Sequence, residues 1–126
     1  MTTYQGGCLC GAVRFEADGA PKWTGLCHCA SCRKHTGAPV AGFAGYESGK
    51  VRFVVGAPVY FASSEGVRRG FCGSCGATLT YEGAPWPGEI HLHIGAFDDP
   101  AAFAPKGQGF PEERLPWLHV SVDGME

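Results

Sequence analysis

The pentapeptide Cys72-Gly73-Ser74-Cys75-Gly76 places two thiols three residues apart, with a glycine after each of them. Glycine lets the backbone turn tightly, so both sulfurs can reach one ion, which is the form of a zinc knuckle. A closed structural zinc site takes four ligands in a tetrahedron. The pentapeptide therefore requires a second pair of ligands from another part of the chain.

Cys8 and Cys10 near the N-terminus are the pair that we expect to complete this site. In an extended segment, residues i and i+2 project their side chains from the same face, so the two sulfurs can share an ion. The predicted structural zinc site is therefore made of Cys8, Cys10, Cys72 and Cys75. Because the free energy of metal binding is available to folding, such a site would join the N-terminal segment to residue 72 and stabilise a small core.

The three remaining cysteines, Cys27, Cys29 and Cys32, form the run Cys-x-Cys-x-x-Cys. A catalytic zinc site typically keeps about three protein ligands and one open position. We therefore predict a second, catalytic zinc on these three thiolates, with its fourth position free for water or a substrate atom. The alternative is a second structural site that His35, three residues after Cys32, completes. In that case the zinc has no open position and cannot act as a Lewis acid.

Two other interpretations of the cysteines are less favoured. Scattered core cysteines would not produce three C-x-C or C-x-x-C spacings in one chain. A redox pair of the thioredoxin type requires a βαβ context, which Cys72 and Cys75 lack. The chain has seven cysteines, an odd number that disulfides cannot pair completely. Metal binding is the better explanation.

Size and composition predict one small, folded domain over residues 1–126. The chain has 20 glycines and 9 prolines, yet 44% of its residues are apolar and 12% are aromatic, as in a packed globular protein. Only 17% are charged and the formal net charge is −2, which offers no electrostatic basis for binding nucleic acid or an anionic membrane. The first residues do not resemble a secretion signal and no apolar run is long enough to span a membrane, so we expect a cytoplasmic protein.

Short runs with strand-like composition are separated by Gly, Pro and Ser along the chain, and almost none has a helical period. Gly11–Ala17 alternates most clearly, with Val13 and Phe15 on one face. The other predicted strands are Val40–Tyr46, Val51–Val55, Val59–Ala62, Val67–Phe71, Ala77–Tyr81 and Ile90–Ile94. Short helical turns are expected at Ser31–His35 and Asp98–Phe103. This pattern predicts a mainly β fold of antiparallel sheets.

The other histidines carry less weight as ligands. His91 and His93 share one face of the predicted strand Ile90–Ile94, and an exposed strand face is favoured over a metal site for them. His28 lies between two predicted ligands and is expected to point away from the ion. His119 is expected to be an ordinary surface or packing residue.

The motifs have a recognisable arrangement, namely Gly7-Cys8-x-Cys10-Gly11-x-Val13, Cys27-His28-Cys29-x-x-Cys32-Arg33-Lys34-x-x-Gly37, Arg69-x-Phe71-Cys72-x-x-Cys75-Gly76 and Leu115-Pro116-Trp117. Over nearly the whole chain, this arrangement resembles the glutathione-dependent formaldehyde-activating enzyme and centromere protein V domain family. The resemblance implies a zinc-stapled fold of the β-tent type. It also implies a structural zinc on the first and last cysteine pairs and a catalytic zinc on the central three.

The named enzyme of that family is a carbon–sulfur lyase acting on S-hydroxymethylglutathione, the adduct of formaldehyde and glutathione. The expected function is therefore a zinc-dependent carbon–sulfur lyase acting on a thiol–aldehyde adduct, with two zinc ions per chain. Because this chain is shorter than the named enzyme, the resemblance supports the chemistry more strongly than the substrate. The expected partner is a small-molecule thiol or its aldehyde adduct, with glutathione among the candidates, and neither nucleic acid nor a membrane.

The main alternative is a non-enzymatic zinc module that binds a protein partner, as the centromere branch of the family suggests. Trp86, Phe110 and Trp117 could form its surface, although aromatic residues in a Gly/Pro-rich coil more often cover a core. For that reason we expect the tail Lys106–Glu126 to be ordered coil packed on the sheets. A zinc buffer or redox sensor ranks last, because metal ligation suppresses the nucleophilicity of thiolates.

Overall fold

The computed structural model describes residues 1–122 and consists mainly of β-strands. A seven-residue helix, α1 (Ala30–Thr36), follows the third strand, and short 3₁₀ turns occupy Ser48–Lys50, Ile94–Ala96, Pro100–Phe103 and Pro111–Glu113. The strands are β1 (Thr3–Gly7), β2 (Arg14–Asp18), β3 (Trp23–Cys27), β4 (Ala41–Glu47), β5 (Val51–Val55), β6 (Val59–Ser64), β7 (Val67–Phe71), β8 (Thr78–Gly83), β9 (Glu89–His93) and β10 (Gln108–Gly109).

The strands of the described chain form two sheets. One has three strands in the order β1-β2-β5, and the other has seven in the order β10-β3-β4-β9-β8-β7-β6. Neighbouring strands are antiparallel except for the short β10, which is parallel to β3 and places Gly109 opposite Cys27. The predicted mainly β fold is confirmed, with this one parallel pair as the exception to an antiparallel arrangement.

The alternating sequence of β2 places its apolar side chains in the core. Phe15 and Ala17 are completely buried and Val13 nearly so, as the pattern predicts. Phe15 packs edge-on against Phe97 at a ring-centroid distance of 5.2 Å. The same apolar cluster contains Leu92 from the larger sheet, so one core joins the two sheets. Full burial of the larger of these side chains, such as Phe15 and Leu92, contributes on the order of 2 kcal/mol each through the hydrophobic effect.

Besides the short β10 in the tail, the strands β1 and β3 were not predicted from the sequence. Gly6 and Gly7 end β1, and Gly25 lies in the middle of β3, so neither segment has an alternating apolar pattern. The structure explains the glycines by close approach of other atoms. A side chain at Gly6 would overlap the Phe15 ring, and one at Gly25 would lie 3.2 Å from the carbonyl oxygen of Gly107. Here packing between elements, rather than local pattern, determines the residue type.

The helical predictions are confirmed, but part of the prediction for the tail is wrong. α1 covers the predicted Ser31–His35, and the predicted turn near Asp98 is the 3₁₀ turn Pro100–Phe103. In the tail, Gln108–Gly109 is a strand, while Phe110 and Trp117 are 53% and 65% exposed and do not cover a core. Residues 123–126 of the predicted coil lie outside the described residues. None of the helices in residues 1–122 is long and apolar enough to cross a membrane.

Candidate metal centres and the cleft beside one of them

The four cysteines of the first predicted site come together in the structure. The Sγ atoms of Cys8, Cys10, Cys72 and Cys75 all lie within 4.8 Å of one another, a spacing that could hold a metal ion. Cys10 lies 3.7 Å from Cys8 and 3.8 Å from Cys72, measured between sulfurs. The fold therefore brings together two pairs that are about sixty residues apart in the chain.

Both pairs are presented by tight turns, which differs from the expected extended geometry of Cys8 and Cys10. The Gly11 N–H donates to the carbonyl of Cys8 at 3.3 Å, and Gly11 adopts a φ of +82°. In the second turn, the Gly76 N–H donates to the carbonyl of Cys72 at 2.8 Å, and Gly76 has a φ of +77°. Left-handed backbone conformations favour glycine. Gly11 and Gly76 therefore allow the tight turns that bring the sulfurs together, which is the role predicted for the glycines of the zinc knuckle.

Backbone N–H groups point at the sulfurs of this cluster. The Val13 N–H donates to Cys8 Sγ at 3.2 Å, and the N–H groups of Ser74 and Cys75 donate to Cys72 Sγ at 3.3 and 3.4 Å. Hydrogen bonding with the backbone of Ala77 lowers the pKa of Cys75 to about 6. Donors aimed at sulfur favour the thiolate, which is the form that binds metal.

The second cluster is formed by Cys27, Cys29 and Cys32 at the junction of β3 and α1. Their Sγ atoms also lie within 4.8 Å of one another, and Cys27 and Cys29 are 3.3 Å apart. Cys27 ends β3. Cys29 is the N-cap of α1 in extended conformation, and its sulfur accepts the Cys32 N–H at 3.4 Å. The turn from strand to helix thus points the three sulfurs at one place.

Arg69 on β7 contacts this second cluster from across the sheet. Arg69 is only 5% exposed, and its guanidinium donates from Nη1 to Cys32 Sγ at 3.5 Å and from Nε to Ser63 Oγ at 3.1 Å. Hydrogen bonding with Cys27 and with Arg69 lowers the pKa of Cys32 to about 5 in spite of burial, while the pKa of Cys27 is raised by Cys32 and by burial. One thiolate is therefore stabilised by a fixed positive charge.

The two clusters differ in whether they line a cleft. A cleft of about 1260 Å³ is lined by Cys27, Cys29 and Cys32, together with Arg69 and several aromatic side chains. None of the four cysteines of the other cluster lines it. A ligand in the cleft can reach the three-cysteine cluster directly. The four-cysteine cluster lies away from the cleft and has Cys10 exposed, so the assignment of an open and a closed zinc site stays a prediction.

Comparison with known proteins identifies the family. The family model described as glutathione-dependent formaldehyde-activating enzyme matches residues 3–113. The chain belongs to this family. A Halomonas elongata protein named as a candidate glutathione-dependent formaldehyde-activating enzyme is 31% identical over 127 residues, covering 92% of this chain and 80% of the relative.

Two further similarities are more limited in extent or identity. An uncharacterised lyase of Schizosaccharomyces pombe is 33% identical over 81 residues, which cover 64% of this chain and 58% of the relative, so the match spans less than two thirds of that protein. A solved structure of a Rhodobacter sphaeroides protein has a TM-score of 0.66 and 21% identity, covering 82% of this chain and 98% of the other. This last similarity concerns the fold alone.

In this member of the glutathione-dependent formaldehyde-activating enzyme family, the histidines lie partly where the sequence predicts. The Nε2 atom of His28 is 2.8 Å from Gln108 Oε1, and His28 is not part of the sulfur cluster. His119 is exposed, as expected. Among residues 1–122, His35 is not grouped with the three sulfurs, so the fourth-ligand alternative has no geometric support.

The prediction of an exposed strand face for His91 and His93 is wrong. Both are buried, with 3% and 6% of their surface exposed. β9 lies between β4 and β8 in the seven-stranded sheet and is covered on both faces, so the alternation of His with Ile and Leu does not separate inside from outside. Burial lowers the pKa of His93 to about 3, which keeps its imidazole neutral.

Sequence reasoning missed the role of Arg69. Arg69 belongs to the family-like motif before Cys72, but nothing in the local pattern connects it with Cys32, which lies 37 residues earlier. An arginine in a short strand is ordinarily a surface residue. Only the order of strands in the larger sheet brings the two side chains together.

Proposed function

We propose that this chain is a zinc-dependent carbon–sulfur lyase that acts on a thiol–aldehyde adduct and functions as a single domain over residues 1–126. One observation carries the proposal: the sulfurs of Cys27, Cys29 and Cys32 are grouped on the wall of a large cleft, whereas the other four cysteines are grouped away from it. The names of the Halomonas and fission yeast relatives support the reaction class.

The donor sets of both clusters suit zinc. Thiolate sulfur is a preferred zinc ligand, and four thiolates make a closed structural site while three leave one position open. We therefore assign a structural zinc to Cys8, Cys10, Cys72 and Cys75 and a catalytic zinc to Cys27, Cys29 and Cys32. When bound at the open site, zinc would supply an electrophilic centre that offsets negative charge on a substrate sulfur or oxygen.

The protein's own residues prepare the open site. The hydrogen bond from Cys32 N–H to Cys29 Sγ holds the Cys29 side chain at the start of α1. Arg69 donates a hydrogen bond to the Cys32 sulfur and places one positive charge beside the three-cysteine cluster. Because Arg69 is almost completely buried, water does not screen this charge well, and its effect on the cluster is larger than that of a surface arginine.

The proposed reaction needs no redox partner. In an adduct R–S–CH₂–OH, the C–S bond breaks, the hydroxyl group loses its proton and becomes the aldehyde carbonyl, and the sulfur gains a proton to give the thiol. The reverse direction forms the adduct. The cleft serves this step by holding the substrate sulfur near the three cysteines.

Metal analysis and an exchange assay test the proposal. We expect about two zinc ions per purified chain. Cys29→Ser should lose about one and remain folded, whereas Cys10→Ser, which loses the structural zinc, should also have a lower Tm. Exchange between formaldehyde, thiol and adduct, followed by NMR, should disappear in Cys29→Ser. About one zinc per chain with no loss in Cys29→Ser would contradict the two-site assignment.

A second candidate, a zinc module that binds a protein partner, is favoured by one observation. β6 is at an edge of the seven-stranded sheet, and Val59, Tyr60 and Phe61 on it are each more than a third exposed. An apolar edge strand can pair with a strand of another protein. A protein that binds zinc at both clusters but exchanges no thiol adduct would favour this second candidate.

A further inference from the structure

We propose that the cleft beside Cys27, Cys29 and Cys32 recognises an uncharged aromatic ring, so that the preferred substrate is the adduct of an arylalkyl thiol rather than of glutathione. This inference rests on the proposed function, because it names the part of the substrate that lies beyond the reacting sulfur. It concerns a group of aromatic side chains that line the cleft (the aromatic wall) and that the cysteine chemistry does not use.

The wall is built from four aromatic side chains that all line the cleft: Trp23, Tyr81, Trp86 and His91. The His91 ring lies 4.6 Å from Trp23 and 5.3 Å from Trp86 between centroids, and it stacks on Tyr81 at 5.4 Å. Trp23 and Trp86 are 5.8 Å apart. Trp86 still exposes 44% of its surface, so the cluster has a ring available for a further aromatic contact.

The carboxylate of Glu89, whose side chain is 12% exposed, holds this wall in a fixed arrangement. Glu89 accepts hydrogen bonds from Trp23 Nε1 at 3.2 Å, from His91 Nε2 at 3.0 Å and from Lys22 Nζ at 2.9 Å. Because a carboxylate only accepts, the proton of His91 is on Nε2, and burial keeps the ring neutral by lowering its pKa. The four rings are therefore uncharged and held in a preorganised arrangement, which suits an aromatic ligand.

The charges of the cleft do not match glutathione. Glutathione carries two carboxylates, which arginine and lysine side chains recognise through charge-assisted hydrogen bonds. Within the described residues, the cations that line the cleft are Lys22, Arg69 and Lys106. Lys22 is paired with Glu89, and the buried Arg69 is directed at Cys32 and Ser63. The lining therefore presents no pair of available cations for the two carboxylates.

The aromatic wall is continuous with the sulfur cluster. The guanidinium of Arg69 donates to Cys32 and also lies over the Tyr81 ring at 5.0 Å from its centroid. Tyr81 in turn stacks on His91. One small molecule can thus place its sulfur at the cysteines and its ring at the wall without leaving the cleft.

The test compares three thiols with formaldehyde on the zinc-loaded protein: 2-phenylethanethiol, glutathione and 2-mercaptoethanol. Exchange of the S-hydroxymethyl group is measured by NMR. We expect a kcat/KM for phenylethanethiol about 10-fold or more above that for glutathione. Trp86→Ala should lower the phenylethanethiol value about 10-fold more than the mercaptoethanol value. Trp117→Ala is the matched control, since Trp117 is exposed and does not line the cleft.

The outcomes separate this inference from the proposed function. Preference for glutathione, or an equal loss for all three thiols in Trp86→Ala, would overturn the aromatic site and leave the lyase proposal standing. Absence of exchange with every thiol would overturn the lyase proposal. In that case, saturation-transfer NMR with 2-phenylethanol decides the aromatic site: binding about 10-fold weaker in Trp86→Ala than in Trp117→Ala supports it, and equal binding overturns it.

Discussion

Replacing Arg69 by methionine should weaken metal binding at the three-cysteine cluster alone. Methionine keeps the apolar volume of the side chain but removes the positive charge and the two hydrogen bonds to Cys32 and Ser63. A hydrogen bond to a charged group contributes about 1.5–3 kcal/mol. Because the N–H···S contact is long at 3.5 Å, we take the lower end of that range, about 1.5 kcal/mol. Metal affinity at this cluster should therefore fall about 10-fold.

The assay is competition for zinc between the protein and a coloured chelator, which resolves a weaker and a stronger site. Arg68→Met is the matched control, because Arg68 is the neighbouring residue but its half-exposed side chain pairs with Glu82. We expect Arg68→Met to behave as the unmodified protein at both clusters. Arg69→Lys, which keeps the charge but cannot make both hydrogen bonds, should recover part of the affinity.

The result that would refute this reasoning is equal zinc affinity in Arg69→Met and Arg68→Met, with both proteins folded by circular dichroism. It would mean that the buried guanidinium contributes nothing to the sulfur cluster and serves only the packing against Tyr81. A loss of affinity at the four-cysteine cluster would also contradict the argument, because Arg69 does not contact that cluster in the structure.

Three further predictions concern stability. Removing zinc with a strong chelator should unfold the protein or lower its Tm markedly, because the four-cysteine cluster joins segments far apart in the chain; an unchanged Tm by calorimetry would contradict a structural role. Phe15→Ala should cost about 3–5 kcal/mol of unfolding free energy in a urea titration, since the ring is completely buried; a cost below about 1 kcal/mol would show that the core is not closed around it. Burial raises the pKa of Glu89, but hydrogen bonds from Lys22, His91 and Trp23 outweigh this and lower it to about 2. The ionised carboxylate therefore stabilises the fold above its ordinary pKa of 4.5, and about 1–3 kcal/mol is lost as the pH falls from 4.5 towards 2. Glu89→Gln should remove more of this pH dependence of the unfolding free energy than Asp98→Asn, because the half-exposed ion pair of Asp98 contributes less. Equal pH dependence in the two variants would refute the stabilising role given to Glu89.

The fold was predictable where one face of a strand is buried and the other is not. β2 is such a case, because Phe15 and Ala17 face the core while Arg14 and Glu16 face outward. β9 is the opposite case, since its neighbours β4 and β8 and the covering elements bury both of its faces. There the histidines are buried, so an alternation with a period of two residues carries no information about exposure.

The cysteine clusters were predictable for a chemical reason. A metal site needs a set number of sulfur ligands, and tight spacing with glycine is the local means of presenting them, so the partition of seven cysteines into four and three follows from short motifs. The prediction that Cys8 and Cys10 lie in an extended segment was wrong, because the backbone turns at Gly11. The turn at Gly11 brings the two sulfurs together just as an extended segment would.

The sequence by itself determined the mainly β character of this protein and the grouping of its cysteines, because both depend on residues close together in the chain. Only the tertiary structure decided which cluster faces the cleft, that Arg69 contacts Cys32, and that Trp23, Trp86 and His91 form one wall around Glu89. These relations depend on the order of strands in the larger sheet. Strand order is set by packing the whole core at once, and no short segment of sequence contains that information.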